Sequence, residues 1–113
     1  MKTITTCCLS VIASCCAFAA TACETPSMIA IPDGKTATKE GLMSAQGEVK
    51  AYMASMNDFL ACVDKEMEAK GEAAPSDYKA LMVSRHNAAV TEMESVAAAF
   101  NVQIKAWKAA NPN

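Results

Sequence analysis

Apolar side chains return at alternating three- and four-residue steps from Leu42 to Met67, the period of a helix with one buried stripe. Written as a heptad, Leu42, Val49, Met56 and Val63 take the a positions, and Ala45, Tyr52, Phe59 and Glu66 take d. Glu66 alone breaks the pattern. Met53, Leu60 and Met67 at e widen the stripe beyond a two-stranded seam, so the helix needs a partner. That partner is the stretch after Pro75: Val83, Val90, Ala97 and Ile104 recur at a, and His86, Met93, Phe100 and Trp107 at d. In this second stretch Asn87, Glu94, Asn101 and Lys108 make the e flank polar, while Met82, Ala89 and Val96 make the g flank apolar.

Local signals set the ends. Thr38 is the expected N-cap of the first helix, with Glu40 in its first turn and Gly71 as its C-terminal stop. Gly71 to Pro75 reads as the hairpin loop, with Ser76 as cap of the second helix, which ends before Asn111-Pro112. Helices are thus expected over about 39–70 and 77–110. Gly41 and Gly47 weaken the first helix by about 1 kcal/mol each relative to alanine, unless they admit a close neighbour.

Ahead of the hairpin, 23–37 contains Pro26, Pro32 and Gly34 and is denied a helix by its prolines. It reads as an extended strap ending in a turn at Pro32-Asp33-Gly34, where residues tolerant of unusual backbone angles are expected. In an antiparallel pair g positions face g positions, so Cys62 and Ser55 share a groove with Met82, Ala89 and Val96. The strap is long enough to run along this groove from Thr38 to Cys62. A Cys23–Cys62 disulfide would pin it there, with Ile29 and Ile31 packed over the groove and Ile31 near Trp107. The fold expected is all-α: an antiparallel two-helix hairpin with an N-terminal extended strap pinned by a disulfide.

Composition adds a compartment. Lys2 is followed by an apolar run from Cys7 to Ala22, and a charged, proline-containing composition begins at Cys23, the layout of a secretory signal peptide over 1–22. Ala17-Phe18-Ala19 and Ala20-Thr21-Ala22 both suit signal peptidase, and the second stands where the composition changes. The 16-residue run is short for a bilayer span, which needs about 20 apolar residues. Cleavage after Ala22 leaves 91 residues and removes four of the six cysteines, with Cys23 and Cys62 remaining. Two cysteines in an exported chain read first as one disulfide. The remainder carries nine lysines and arginines against twelve aspartates and glutamates, a net charge of −3 that argues against nucleic acid and anionic lipid as partners.

Candidate chemistry is sparse. Met82 and His86, one helical turn apart, are the residues that could hold a soft ion such as Cu(I), although both fall where a core would use them. No G-x-S-x-G elbow is present, and no sequence partner orients His86 as a base. No catalytic residue is therefore assigned and no cofactor is expected. Asp58, Asp64, Glu66 and Glu68 read as a solvated face. Ala20-Thr21-Ala22-Cys23 has a faint lipobox character, so an envelope lipoprotein anchored at Cys23 competes with the disulfide; alanine stands at Ala20 where such boxes carry leucine. Met53, Leu60 and Met67, on the flank without a strap, form the candidate interaction face, for a homodimer or another protein.

The segments Cys23-Glu24, Ile31-Pro32-Asp33-Gly34-Lys35-Thr36-Ala37-Thr38, Val49-Lys50-Ala51-Tyr52, Phe59-Leu60-Ala61-Cys62 and Asn87-Ala88-Ala89-Val90 with Glu92-Met93 together resemble small exported helical proteins of proteobacteria with no established activity. The likeness spans nearly the whole stretch after the leader. It implies a periplasmic location and carries over no site residue. The expectation is a non-enzymatic periplasmic hairpin that acts through protein–protein contacts, with a small-ligand or metal-binding protein as the alternative.

Overall fold

The computed structural model describes residues 23–112, so the expected leader lies outside the described residues. Two helices, α1 over Lys39–Lys70 and α2 over Ser76–Ala110, make up the fold, with no strand among the described residues. Leu42 and Ala45 at the start of α1 cluster with Phe100 near the end of α2, while Val63 clusters with Met82, so the helices run antiparallel. The all-α hairpin with its pinned strap is the observed architecture.

The helix ends follow from local chemistry. Thr38 is extended and its Oγ1 accepts a hydrogen bond from the Gly41 N–H at 3.0 Å, satisfying one of the donors a helix start leaves open. Gly71 adopts φ 65°, a left-handed conformation that glycine enters without strain, and its N–H donates to the Met67 carbonyl. At α2 the expected cap is displaced. Pro75 occupies the N-cap position, its carbonyl accepting from the Lys79 N–H, and Ser76 is already helical with its hydroxyl on Asp77 rather than on the backbone. Proline's fixed φ preorganises the helix entry, and no side chain caps this end.

The core has two parts joined through Val49 and Ile31, both of which pack against each. One is built on Tyr52, Met56, Phe59, Val63, Met82, Ala89 and Val96, and the other on Leu42, Ala45 and Phe100. The α1 stripe is the expected one. On α2, Met82, Ala89 and Val96 are buried, as the groove under the strap requires, and Phe100 at d is buried too, whereas Val83, expected at a core position, is 47% exposed. The strap accounts for this turn of α2 towards its g flank. Its Ile29 and Ile31 supply a third apolar wall on the g side, so α2 buries most area by turning that flank inward.

The strap ends in a turn in which the Asp33 carbonyl accepts from the N–H groups of Thr36 and Ala37, and Asp33 Oδ1 accepts from the Lys35 N–H at 2.9 Å. Gly34 sits here against α2. Its N–H donates to Gln103 Oε1 at 2.8 Å, and a Cβ on it would overlap the Gln103 carbonyl, lying 2.8 Å from the carbonyl carbon and 3.0 Å from the Trp107 nitrogen. Its φ is not positive, so glycine is needed for closeness and not, as expected, for an unusual backbone angle. Conversely, a Cβ added at Gly47 would have nothing within 4 Å and one at Gly41 would meet only Thr38, so the glycines of α1 do not admit the strap.

Candidate functional site

At the other end of the strap, Cys23 is bonded to Cys62 with a Cα–Cα separation of 5.7 Å. Two further contacts converge on Cys23. Its backbone nitrogen donates to Glu66 Oε1 at 3.2 Å, its carbonyl accepts from Arg85 Nη2 at 2.6 Å, and its side chain is buried. Glu66 and Cys62 are one helical turn apart on α1, so disulfide and carboxylate reach the same residue from one helix. This accounts for an acidic residue at a core position of the heptad: Glu66 is half-buried and turned to the strap, while Asp58, Asp64 and Glu68 are exposed.

Arg85 approaches from α2. Besides the Cys23 carbonyl, its guanidinium lies 5.3 Å from the Phe59 ring centroid and 3.8 Å from the Met82 sulfur. Met82 is thus fully buried with a cation already beside its sulfur, and His86 is half-buried one turn further on. Among the described residues, His86 joins no group of histidine, cysteine or acidic ligand atoms; the group that does form is Cys23, Cys62 and Glu66, with atoms within 4.8 Å of one another. In it the two sulfurs are bonded to each other, so neither offers a thiolate to a metal. The same bond leaves the Cys23 sulfur without a valence for a lipid thioether.

Further along the seam, Tyr52 donates from its hydroxyl to Glu92 Oε1 at 2.5 Å, linking the two helices inside the core. Burial, reinforced by the hydrogen bond to Glu92 and its negative charge, pushes the Tyr52 hydroxyl up to about 12. Sequence reasoning missed the Tyr52–Glu92 and Arg85–Cys23 contacts. Arg85 and Glu92 occupy positions that a strict a/d reading of α2 treats as surface, and only the polar/apolar asymmetry between its flanks signalled the rotation that brings them in.

The strap divides the hairpin into two unlike sides. On one, an open groove of about 720 Å³ runs between the strap and α1, with Tyr52, Phe59 and Cys62 on its floor and Glu24, Glu48 and Asp58 at its rim. The other flank carries Met53, Leu60 and Met67, none of which lines that groove. All three are half-buried and pack, with Met93, against the main core cluster. The most exposed large apolar side chains lie elsewhere, at Met28, Met43, Leu81, Val83 and Val102. No helix among the described residues is long and apolar enough to cross a membrane. Comparison with protein-family models, curated proteins and solved structures returns no match.

Proposed function

We propose that this chain is an exported, non-enzymatic helical hairpin of the bacterial periplasm that works through protein–protein contact, using the flank of Met53, Leu60 and Met67. The asymmetry of the two flanks carries the reading: a covalently pinned strap lies along one side of the seam, while the other keeps a half-covered row of apolar side chains with no strap over it. Support also comes from how the reactive side chains are used. Cys23 and Cys62 are in the disulfide, Glu66 and Arg85 hold Cys23, and Tyr52 and Glu92 hold each other.

Two hairpins pairing this flank would complete a four-helix arrangement, so a second copy is the partner that asks for nothing beyond the chain itself. Sedimentation velocity over a concentration series tests it. Wild-type protein is expected to dimerise, and Leu60→Glu to remain monomeric with an unchanged helical circular-dichroism spectrum. A wild type that stays monomeric throughout removes self-association; a Leu60→Glu variant that dimerises as well as wild type removes this flank as the contact.

A further inference from the structure

We propose that the residues around Cys23 form a receptor for a processed N-terminus: cleavage after Ala22 turns the Cys23 nitrogen into an α-ammonium group, and Glu66 holds it as an ion pair. The inference rests on the export reading above and adds to it the position of the cut and a purpose for Glu66 and Arg85.

The geometry is specific to one residue. Glu66 Oε1 stands 3.2 Å from the Cys23 nitrogen, and Arg85 Nη2 stands 2.6 Å from the Cys23 carbonyl, so both backbone polar groups of a single residue are held by opposite charges. The disulfide to Cys62 fixes that residue's side chain as well. With nitrogen, carbonyl and sulfur all held, the position of Cys23 cannot slide along the groove. A neutral amide at position 23 needs only one neutral acceptor, which an uncharged glutamine or a backbone carbonyl would supply. A carboxylate in a half-buried heptad core position, which loses solvation there, is better matched by a full positive charge. Processing before Cys23 supplies that charge in place; a cut after Ala19 would put the ammonium three residues away and leave an amide at Glu66. Arg85 completes the arrangement by donating to the Cys23 carbonyl, its guanidinium held for that bond by the Phe59 face and the Met82 sulfur.

The test expresses the full chain with its leader in a Gram-negative host, purifies the product from the periplasm, and combines intact mass with the rate of α-amine acylation at neutral pH. The expected product begins at Cys23, has no free thiol before reduction, and shows an α-amine that acylates several-fold more slowly than in Glu66→Gln purified the same way. The same protection, read as native against denatured wild-type protein, serves if the variant does not accumulate. A chain still carrying its leader overturns the export reading together with this inference. A start at Ala20, a lipid mass on Cys23, or an α-amine equally reactive in wild type, Glu66→Gln and denatured protein overturns the inference alone.

Discussion

Gly34 and Gly47 offer the same chemical change with opposite expected outcomes. Replacing Gly34 by alanine places a methyl group into the α2 backbone at Gln103, with further atoms at 2.8 and 3.0 Å. Those atoms belong to a helix and cannot rotate away, so the turn must lift. Overpacking of this kind costs about 1–3 kcal/mol, and loss of the 2.8 Å bond from the Gly34 N–H to Gln103 adds about 1. Alanine's lower unfolded-state entropy returns about 0.5–1, leaving a net destabilisation of about 1–3.5 kcal/mol. For a domain of this size that is a fall of roughly 5–25 °C in Tm. Gly47 lies inside α1 with nothing within 4 Å, so Gly47→Ala gains helix propensity, about 1 kcal/mol. Urea unfolding followed by circular dichroism gives both values, and Trp107 fluorescence reports on the turn because its side chain packs against the same cluster as Ile31 and Ala37, which flank it. A Gly34→Ala protein as stable as wild type would refute the close-approach argument.

Replacing Cys62 by serine opens a loop of 39 residues, and loop-closure entropy sets the loss at about 4 kcal/mol, measurable as the difference in urea unfolding between the variant and the oxidised wild type. Arg85→Ala removes the bond to the Cys23 carbonyl and the Phe59 contact, an expected loss of about 1–3 kcal/mol, and Arg85→Lys should recover little because a point charge cannot meet both partners; full rescue by lysine in the same assay would count against the paired role. The Tyr52 phenol should titrate near 12 by phenolate absorbance, against about 10 for a free tyrosine. Since its folded value is raised, the stability linked to the neutral phenol is present below about pH 10 and lost as pH climbs towards 12; Tyr52→Phe should flatten that dependence and destabilise the protein by about 1–2 kcal/mol at neutral pH.

The hairpin and its strap were legible because each rests on signals that act locally or through simple geometry. Heptad spacing, a capping threonine, a terminal glycine and two cysteines at the ends of a reachable span specify α1, the loop and the disulfide. The burial of Met82, Ala89 and Val96 was legible too, from the groove the strap fills; what escaped was how far α2 turns towards it. An a/d reading keeps Val83 in the seam, and its exposure is the solution for three partners, the third being the strap. The same reading hid Arg85 and Glu92, which a two-body seam leaves in solvent. Turn chemistry points to Gly34 for its backbone freedom, whereas the fold uses its missing side chain, a distinction that depends on where α2 passes.

The site at Cys23 shows why a departure from pattern can be more informative than the pattern. Glu66 interrupts an otherwise apolar heptad, and a carboxylate in such a position is destabilising unless something specific answers its charge. The hydrogen bond its carboxylate accepts comes from one residue, the one at which the composition of the chain changes and which follows the expected signal-peptidase site Ala20-Thr21-Ala22. If the answering charge is the α-ammonium, then the fold is completed by processing: before cleavage Glu66 faces a neutral amide, and after it an ion pair shares the residue that carries the disulfide. The pin and the ion pair would then strengthen each other, since the disulfide holds the ammonium at Glu66 and the ion pair holds Cys23 beside Cys62. Removing either should weaken the other, so Glu66→Gln and Cys62→Ser are expected to be non-additive in urea unfolding, with the double variant less destabilised than the sum of the singles.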